Sequence, residues 1–163
     1  MTWECEKQIR DVLHCYCRGV DRLDDALLES VYWPDATDSH GIFSGSAAEF
    51  RAWVIPFLRE AYGGTLHMLG QSDIRLTGSS ATAETYFMAQ HWGPPDPDRY
   101  FVEHVTGRYL DRFEQRGGCW RIASRVLLME NATRQTGHTG FDLDRSQFIW
   151  GSRDHEDPSY QLF

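Results

Sequence analysis

After Gly63-Gly64 the chain carries four long stretches rich in Thr, Val, Tyr, Phe and Ile, over residues 65–77, 82–92, 99–116 and 119–130. No other feature constrains the fold as much. Strands of this length present a row of backbone donors and acceptors that must be paired, and an apolar face that must be covered. Gly78-Ser79-Ser80 and Gly117-Gly118 separate successive stretches and mark hairpins. Pro94-Pro95-Asp96-Pro97 is a rigid loop, because proline donates no ladder hydrogen bond. The order predicts an antiparallel meander whose cover comes from the other end of the chain.

That end supplies helices. From Trp3 to Val20 the positions Ile9, Val12, Leu13, Tyr16 and Val20 recur at helical spacing, which gives one buried stripe. Asp24 reads as the N-cap of a second helix from Asp25 to Trp33, stopped by Pro34. Residues 35–43 read as a short strand and turn. Ser46-Ala47-Ala48-Glu49 is a capping box that opens a third helix over Ala47 to Ala61, in which Pro56 predicts a kink or a break near Val54. Three helices and then a meander make an α+β domain, and 163 residues suit one. The tail from Asn131 is irregular. Its Phe141, Leu143, Phe148, Ile149 and Trp150 are too apolar to be solvated, so it is expected to dock back on the domain.

Charge narrows the partners. A net charge of −8, a pI near 5.3 and a single lysine, Lys7, argue against nucleic acid and against anionic membrane. No apolar run approaches the ~18 residues that span a bilayer. The opening MTWECEKQ places charges where a secretory signal needs an apolar core. The expected location is the cytoplasm. Cys5, Cys15, Cys17 and Cys119 lack CxxC spacing and read as ordinary buried or half-buried thiols rather than metal ligands. The sequon Asn131-Ala132-Thr133 carries little weight without export. One acid lacks a local use: Asp24 and Asp25 start the second helix, whereas Asp21 follows Val20 at the end of the first apolar stripe.

In GVDRLDDALLESVYWPDA (19–36), TLHMLG (65–70), AQHW (89–92), YLDRFEQRGGCWRIAS (109–124) and GFDLDR (140–145), the chain resembles the SnoaL-like branch of the nuclear-transport-factor-2-like superfamily. The resemblance spans nearly the whole sequence and is strongest to scytalone dehydratase and hexachlorocyclohexane dehydrochlorinase. It implies a curved antiparallel sheet wrapped around three helices, a cone with a pocket at its open end. It further implies that Asp21 and His67 meet in that pocket, that His91 on the next strand is a second catalytic histidine, and that GFDLDR begins a lid over the substrate. Scytalone dehydratase carries a tyrosine before its acid where this chain has Val20; the dehydrochlorinase, like this chain, reads Gly-Val-Asp.

The remaining pocket candidates are His40, near a polar pocket position of the family, and Tyr109, Trp33 and Phe141. Period-two alternation places Tyr109 with Val105, Gly107 and Phe113 on the inner face, and Arg108 and Arg112 on the outer face, through which the family forms homotrimers or homodimers. The chemistry implied is elimination without metal, nucleotide or other cofactor. A neutral histidine removes a proton beside an activating group, a carboxylate fixes its tautomer, and water departs. The aromatic supply favours a small cyclic or aromatic hydroxylated substrate. The same pair would serve a retro-aldol carbon–carbon lyase releasing a small aldehyde, or an isomerase. A ligand-binding module, or the structural small subunit of a ring-hydroxylating oxygenase, is the non-enzymatic alternative.

Overall fold

Helix α1 (Thr2–Arg22) buries the stripe expected of it, with Ile9, Leu13, Tyr16 and Val20 all in the core. The computed structural model describes residues 2–93, 100–137 and 144–162. Closure of α1 is unusual: Leu23 adopts a left-handed φ of 53°, where glycine is the common choice. Its N–H bonds the Val20 carbonyl at 3.3 Å, and the Asp24 N–H bonds the Gly19 carbonyl at 2.9 Å. These two bonds bracket Asp21 and fix the turn that carries it.

Asp24 then caps α2 (Asp25–Val31), accepting the Leu27 N–H at 2.9 Å. The helix ends two residues before the expected Trp33, and Pro34 lies inside strand β1 (Tyr32–Ser39) instead of stopping a helix. Proline has no N–H to donate, and the pairing of β1 accordingly skips from Tyr32 to Thr37. Strand β2 (Ser44–Ser46) leads into α3 (Ala47–Ala61), which opens with the expected capping box. The helix runs unbroken through Pro56, which is exposed, so the carbonyl it leaves unpaired can face water.

The meander follows as β3 (Gly64–Thr77), β4 (Ser80–Trp92), β5 (Phe101–Arg116) and β6 (Cys119–Thr136). The sheet order is β2-β1-β6-β5-β4-β3, curved and not closed into a barrel. It is mixed rather than antiparallel throughout, because β1 runs parallel to β6. Hairpin signals set the sense of consecutive strands only, and β1 meets a partner more than eighty residues away (Tyr32 opposite Ile122). At Gly107 a Cβ would lie 2.3 Å from the Leu128 carbonyl and 2.8 Å from the Phe87 ring, so only glycine lets Phe87 lie flat there.

The tail departs from expectation. Strand β6 extends to Thr136, and Phe148, Ile149 and Trp150 are exposed. Polar groups do the docking: Tyr160 donates to Asp24 at 2.7 Å, Arg18 to Ser159 at 3.1 Å, and Arg153 to the Leu58 and Tyr62 carbonyls at 3.0 and 2.8 Å. Phe141 and Leu143 lie outside the described residues. Cys119 is exposed at a hairpin end, whereas Cys17 is buried. Among the described residues no helix is long and apolar enough to cross a membrane.

Candidate active site

Between α1, α3 and the inner face of the sheet lies a cavity of about 450 Å³. Its walls are mostly apolar, as binding pockets of roughly 300–1,000 Å³ usually are. Phe43, Trp53, Phe57 and Tyr62 form a run of rings with successive centroids 5.3, 5.0 and 6.2 Å apart along α3. Phe87 and Tyr109 stack at 4.4 Å on the sheet side.

Polar groups gather at two poles. At the first, Asp21 projects from the last turn of α1 toward β3. Thr65 and His67 are two residues apart on one face of that strand, so both reach the same carboxylate. Asp21 Oδ1 accepts the Thr65 hydroxyl at 2.9 Å and lies 2.7 Å from His67 Nδ1, while Oδ2 accepts the His67 backbone N–H at 2.9 Å. A carboxylate can only accept, so the ring hydrogen of neutral His67 belongs on Nδ1 and Nε2 keeps a free lone pair. His67 lines the cavity and Asp21 stands behind it. The sequence pairing of these two residues is therefore a contact in the structure.

His91 also lines this pole, its ring centroid 5.6 Å from that of His67 and 4.9 Å from that of Tyr62. Its Nδ1 is buried without a partner among the described residues. Burial first, then the proximity of His67, lowers its pKa to about 4. Nearby, Tyr62 donates to Glu103 at 2.7 Å, and burial with this bond to the carboxylate raises the phenol to about 12. Arg153 brings a half-buried cation toward Asp21 from the docked tail, with Nε and Nη2 unpartnered among the described residues.

The second pole is built around His40. Its Nδ1 bonds Asp38 Oδ1, and its Nε2 lies 3.0 Å from the Tyr16 hydroxyl. Asp38 has no exposed side-chain surface and accepts a further bond from Tyr32 at 2.5 Å. Burial raises the Tyr16 phenol well above its ordinary range, against the nearby Arg125 guanidinium. That guanidinium sits 4.0 Å from the Tyr16 ring centroid and 4.1 Å from that of Tyr109, and bonds Asp111 through two nitrogens.

Four of the other expected positions can thus be placed: His40, Tyr109 and His91 line the cavity, and Trp33 does not. Trp33 lies at the sheet end instead, donating to the Glu114 carbonyl at 3.0 Å beneath the guanidinium groups of Arg116 and Arg121. Its strand position turns it toward these arginines, with part of the ring packed against the edge of the core. Phe141 lies outside the described residues. Sequence reading missed Tyr16, Asp38, Thr65, Tyr62 and Glu103. Two of these had a signal, since Asp38-Ser39-His40 and Thr65-Leu66-His67 each put two polar groups on one strand face. Tyr16 was masked by its place in an apolar stripe. Among the described residues no three His, Cys, Asp or Glu side chains converge on a metal-sized site.

A three-helix domain on a curved mixed sheet with this pocket is the arrangement of the SnoaL-like domain, whose family model matches residues 2–126, and the chain belongs to that family. It is similar in fold to the type 2 hexachlorocyclohexane dehydrochlorinase LinA, with a TM-score of 0.72, 17% identity, and 86% of this chain and 96% of that one covered. A protein of Novosphingobium aromaticivorans, provisionally assigned as a scytalone dehydratase, gives a TM-score of 0.71 at 16% identity, covering 87% of this chain and 97% of that one. A Nostoc punctiforme protein of unknown function with a cystatin-like fold gives 0.65 at 14% identity, covering 77% and 90%. No curated protein sequence matches the chain significantly.

Proposed function

We propose that the protein is a cofactor-independent lyase that dehydrates a small cyclic or aromatic hydroxylated substrate. The observation that carries this is the Asp21–His67 contact, which leaves His67 Nε2, on a residue that lines the cavity, without a partner among the described residues. In this reading His67 removes a proton from the carbon beside a carbonyl. The electron pair forms the new double bond and expels hydroxide from the neighbouring carbon. The same imidazolium returns its proton to the departing oxygen, so water leaves and His67 ends neutral. Asp21 stabilises the transient imidazolium without touching substrate. His91, held near 4, is uncharged at neutral pH and serves as a hydrogen-bonding group rather than as the acid. Named relatives in fold that are dehydrochlorinases or provisional dehydratases support elimination. The lid expected to begin at GFDLDR (140–145) falls largely outside the described residues, and the protein is proposed to act as a homotrimer or homodimer.

The test is turnover of a panel of cyclic β-hydroxy ketones, followed by the absorbance of the enone product. His67→Ala and Asp21→Asn should each lower kcat by about a hundredfold or more while circular dichroism shows the wild-type fold retained. Activity that survives His67→Ala would remove the dyad from the mechanism. Release of a small aldehyde would replace dehydration by retro-aldol cleavage, since His67 Nε2 can equally take a proton from a hydroxyl. Tight ligand binding with no turnover across the panel would favour a binding module.

A further inference from the structure

His40 and His67 are built alike and end differently. Each imidazole has Nδ1 tied to a carboxylate, Asp38 or Asp21, so each presents Nε2 as an acceptor when neutral. His67 Nε2 meets the cavity directly. His40 Nε2 meets it through the Tyr16 hydroxyl, which donates to the ring at 3.0 Å and, with the Arg125 guanidinium beside it, still has a second lone pair for a further donor. Both Tyr16 and His40 line the cavity. The unit lies on the far side of the Phe87–Tyr109 stack from His67: His67 is 6.5 Å from Phe87, and His40 is 6.3 Å from Tyr109, centroid to centroid.

A purely scaffolding network would have no need for a titratable ring at the cavity wall. Asp38 is buried completely, and the nearby cation Arg125 is already held by both oxygens of Asp111. The partners left to Asp38 are His40 and the Tyr32 hydroxyl. A proton arriving at His40 would therefore meet a waiting carboxylate.

We propose that Tyr16, backed by His40 and Asp38, is a second ligand-contacting pole, and that the substrate carries oxygen functions at two opposite ends of its ring system. This rests on the lyase reading only in taking the same cavity as the substrate site. The hydroxyl remote from the reacting carbon donates to Tyr16 Oη. If its proton moves, it passes to Tyr16 Oη as the Tyr16 proton passes to His40 Nε2. The ligand is then an oxyanion and His40 an imidazolium against Asp38, with atoms and charge conserved. An electron-rich oxyanion at that end of a conjugated ring would help to expel the leaving group at the other.

The experiment compares two fluorescent probes by titration: a naphthol, and the dihydroxynaphthalene with its oxygens at opposite ends. Wild-type protein should bind the dihydroxy probe about five- to tenfold more tightly, the effect of one additional hydrogen bond. Tyr16→Phe should abolish that advantage. A wild-type co-crystal structure with the dihydroxy probe, which needs no variant, should place one oxygen within hydrogen-bond reach of Tyr16 Oη. Equal affinity of the two probes, no binding of either, an advantage that survives Tyr16→Phe, or a bound oxygen at His67 alone would each overturn the proposal. Binding is the only readout, so a failed elimination assay leaves this result standing, and the reverse holds as well.

Discussion

Burial and a missing carboxylate separate two imidazoles that lie 5.6 Å apart. His67 has Asp21; His91 has a ring nitrogen unpartnered among the described residues and a pKa lowered to about 4. The consequence for stability has a definite sign. An unfolded histidine takes up a proton below about 6.5, whereas folded His91 does so only near 4, so the unfolded chain binds more protons between those values. The stability present above about pH 6.5 is lost as the pH falls, by about 2 kcal/mol at pH 5 from this residue. His91→Gln removes the group. Denaturant unfolding at pH 7 and pH 5 should show a loss smaller by about 2 kcal/mol in the variant than in the wild type; equal losses would contradict the shift. Asp157, lowered to about 2 mainly by hydrogen bonds from Ser159 and Ser152, loses its contribution only below the ordinary carboxylate value and so outside this window. At this scale the sequence was most legible where a residue lacked a local role, as with Asp21. It was least legible at Tyr16, whose ring fills an apolar stripe while its hydroxyl serves a polar network.

Between elements, the pairing of β5 with β6 holds the one fully buried ion pair among the described residues, Arg125 with Asp111, at 2.7 and 2.8 Å. Two charges removed from water are tolerated because they pair through two nitrogens, and the guanidinium, whose Nη1 has no hydrogen-bond partner among the described residues, also covers the Tyr16 and Tyr109 rings. Arg125→Met leaves the Asp111 carboxylate buried alone and should cost about 3–5 kcal/mol. Adding Asp111→Leu should recover much of this, and a double-mutant cycle from denaturant unfolding measures how much. Loss of the same size in the double variant would mean that the ring contacts, not the stranded charge, set the cost. The meander and the capped helices were readable because alternation, hairpin glycines and the capping box act locally. The parallel β1–β6 pairing, the early end of α2 and the polar docking of the tail were not, since each depends on groups distant in sequence. Trp33 shows the same limit: an aromatic residue next to a helix end gives no sign of which sheet end it will reach.

For the whole molecule, the sheet has an inner face that makes the cavity and an outer face that is left exposed among the described residues. On β4 the alternation sends Phe87, Ala89 and His91 inward and Tyr86 and Met88 outward. Leu66, Met68, Tyr86, Met88 and Leu110 are all more than a third exposed, and Met68 stands directly opposite Met88 across the β3–β4 ladder. Arg108, paired with Glu84 and Glu130, adds a charged strip beside them. A patch of that kind marks a surface that is covered in use, and the occupant proposed is a second copy of the chain. Sedimentation at micromolar concentration should find a dimer or trimer. Met88→Asp places an unpaired charge at the centre of the patch and should weaken association by about thirtyfold or more, the effect of losing a contact worth some 2 kcal/mol. Because position 88 faces away from His67 and His91, turnover per chain should stay near wild type in the dissociated protein. A wild-type protein that sediments as a monomer would remove the second copy as occupant, and loss of turnover on dissociation would mean that assembly helps to shape the cavity.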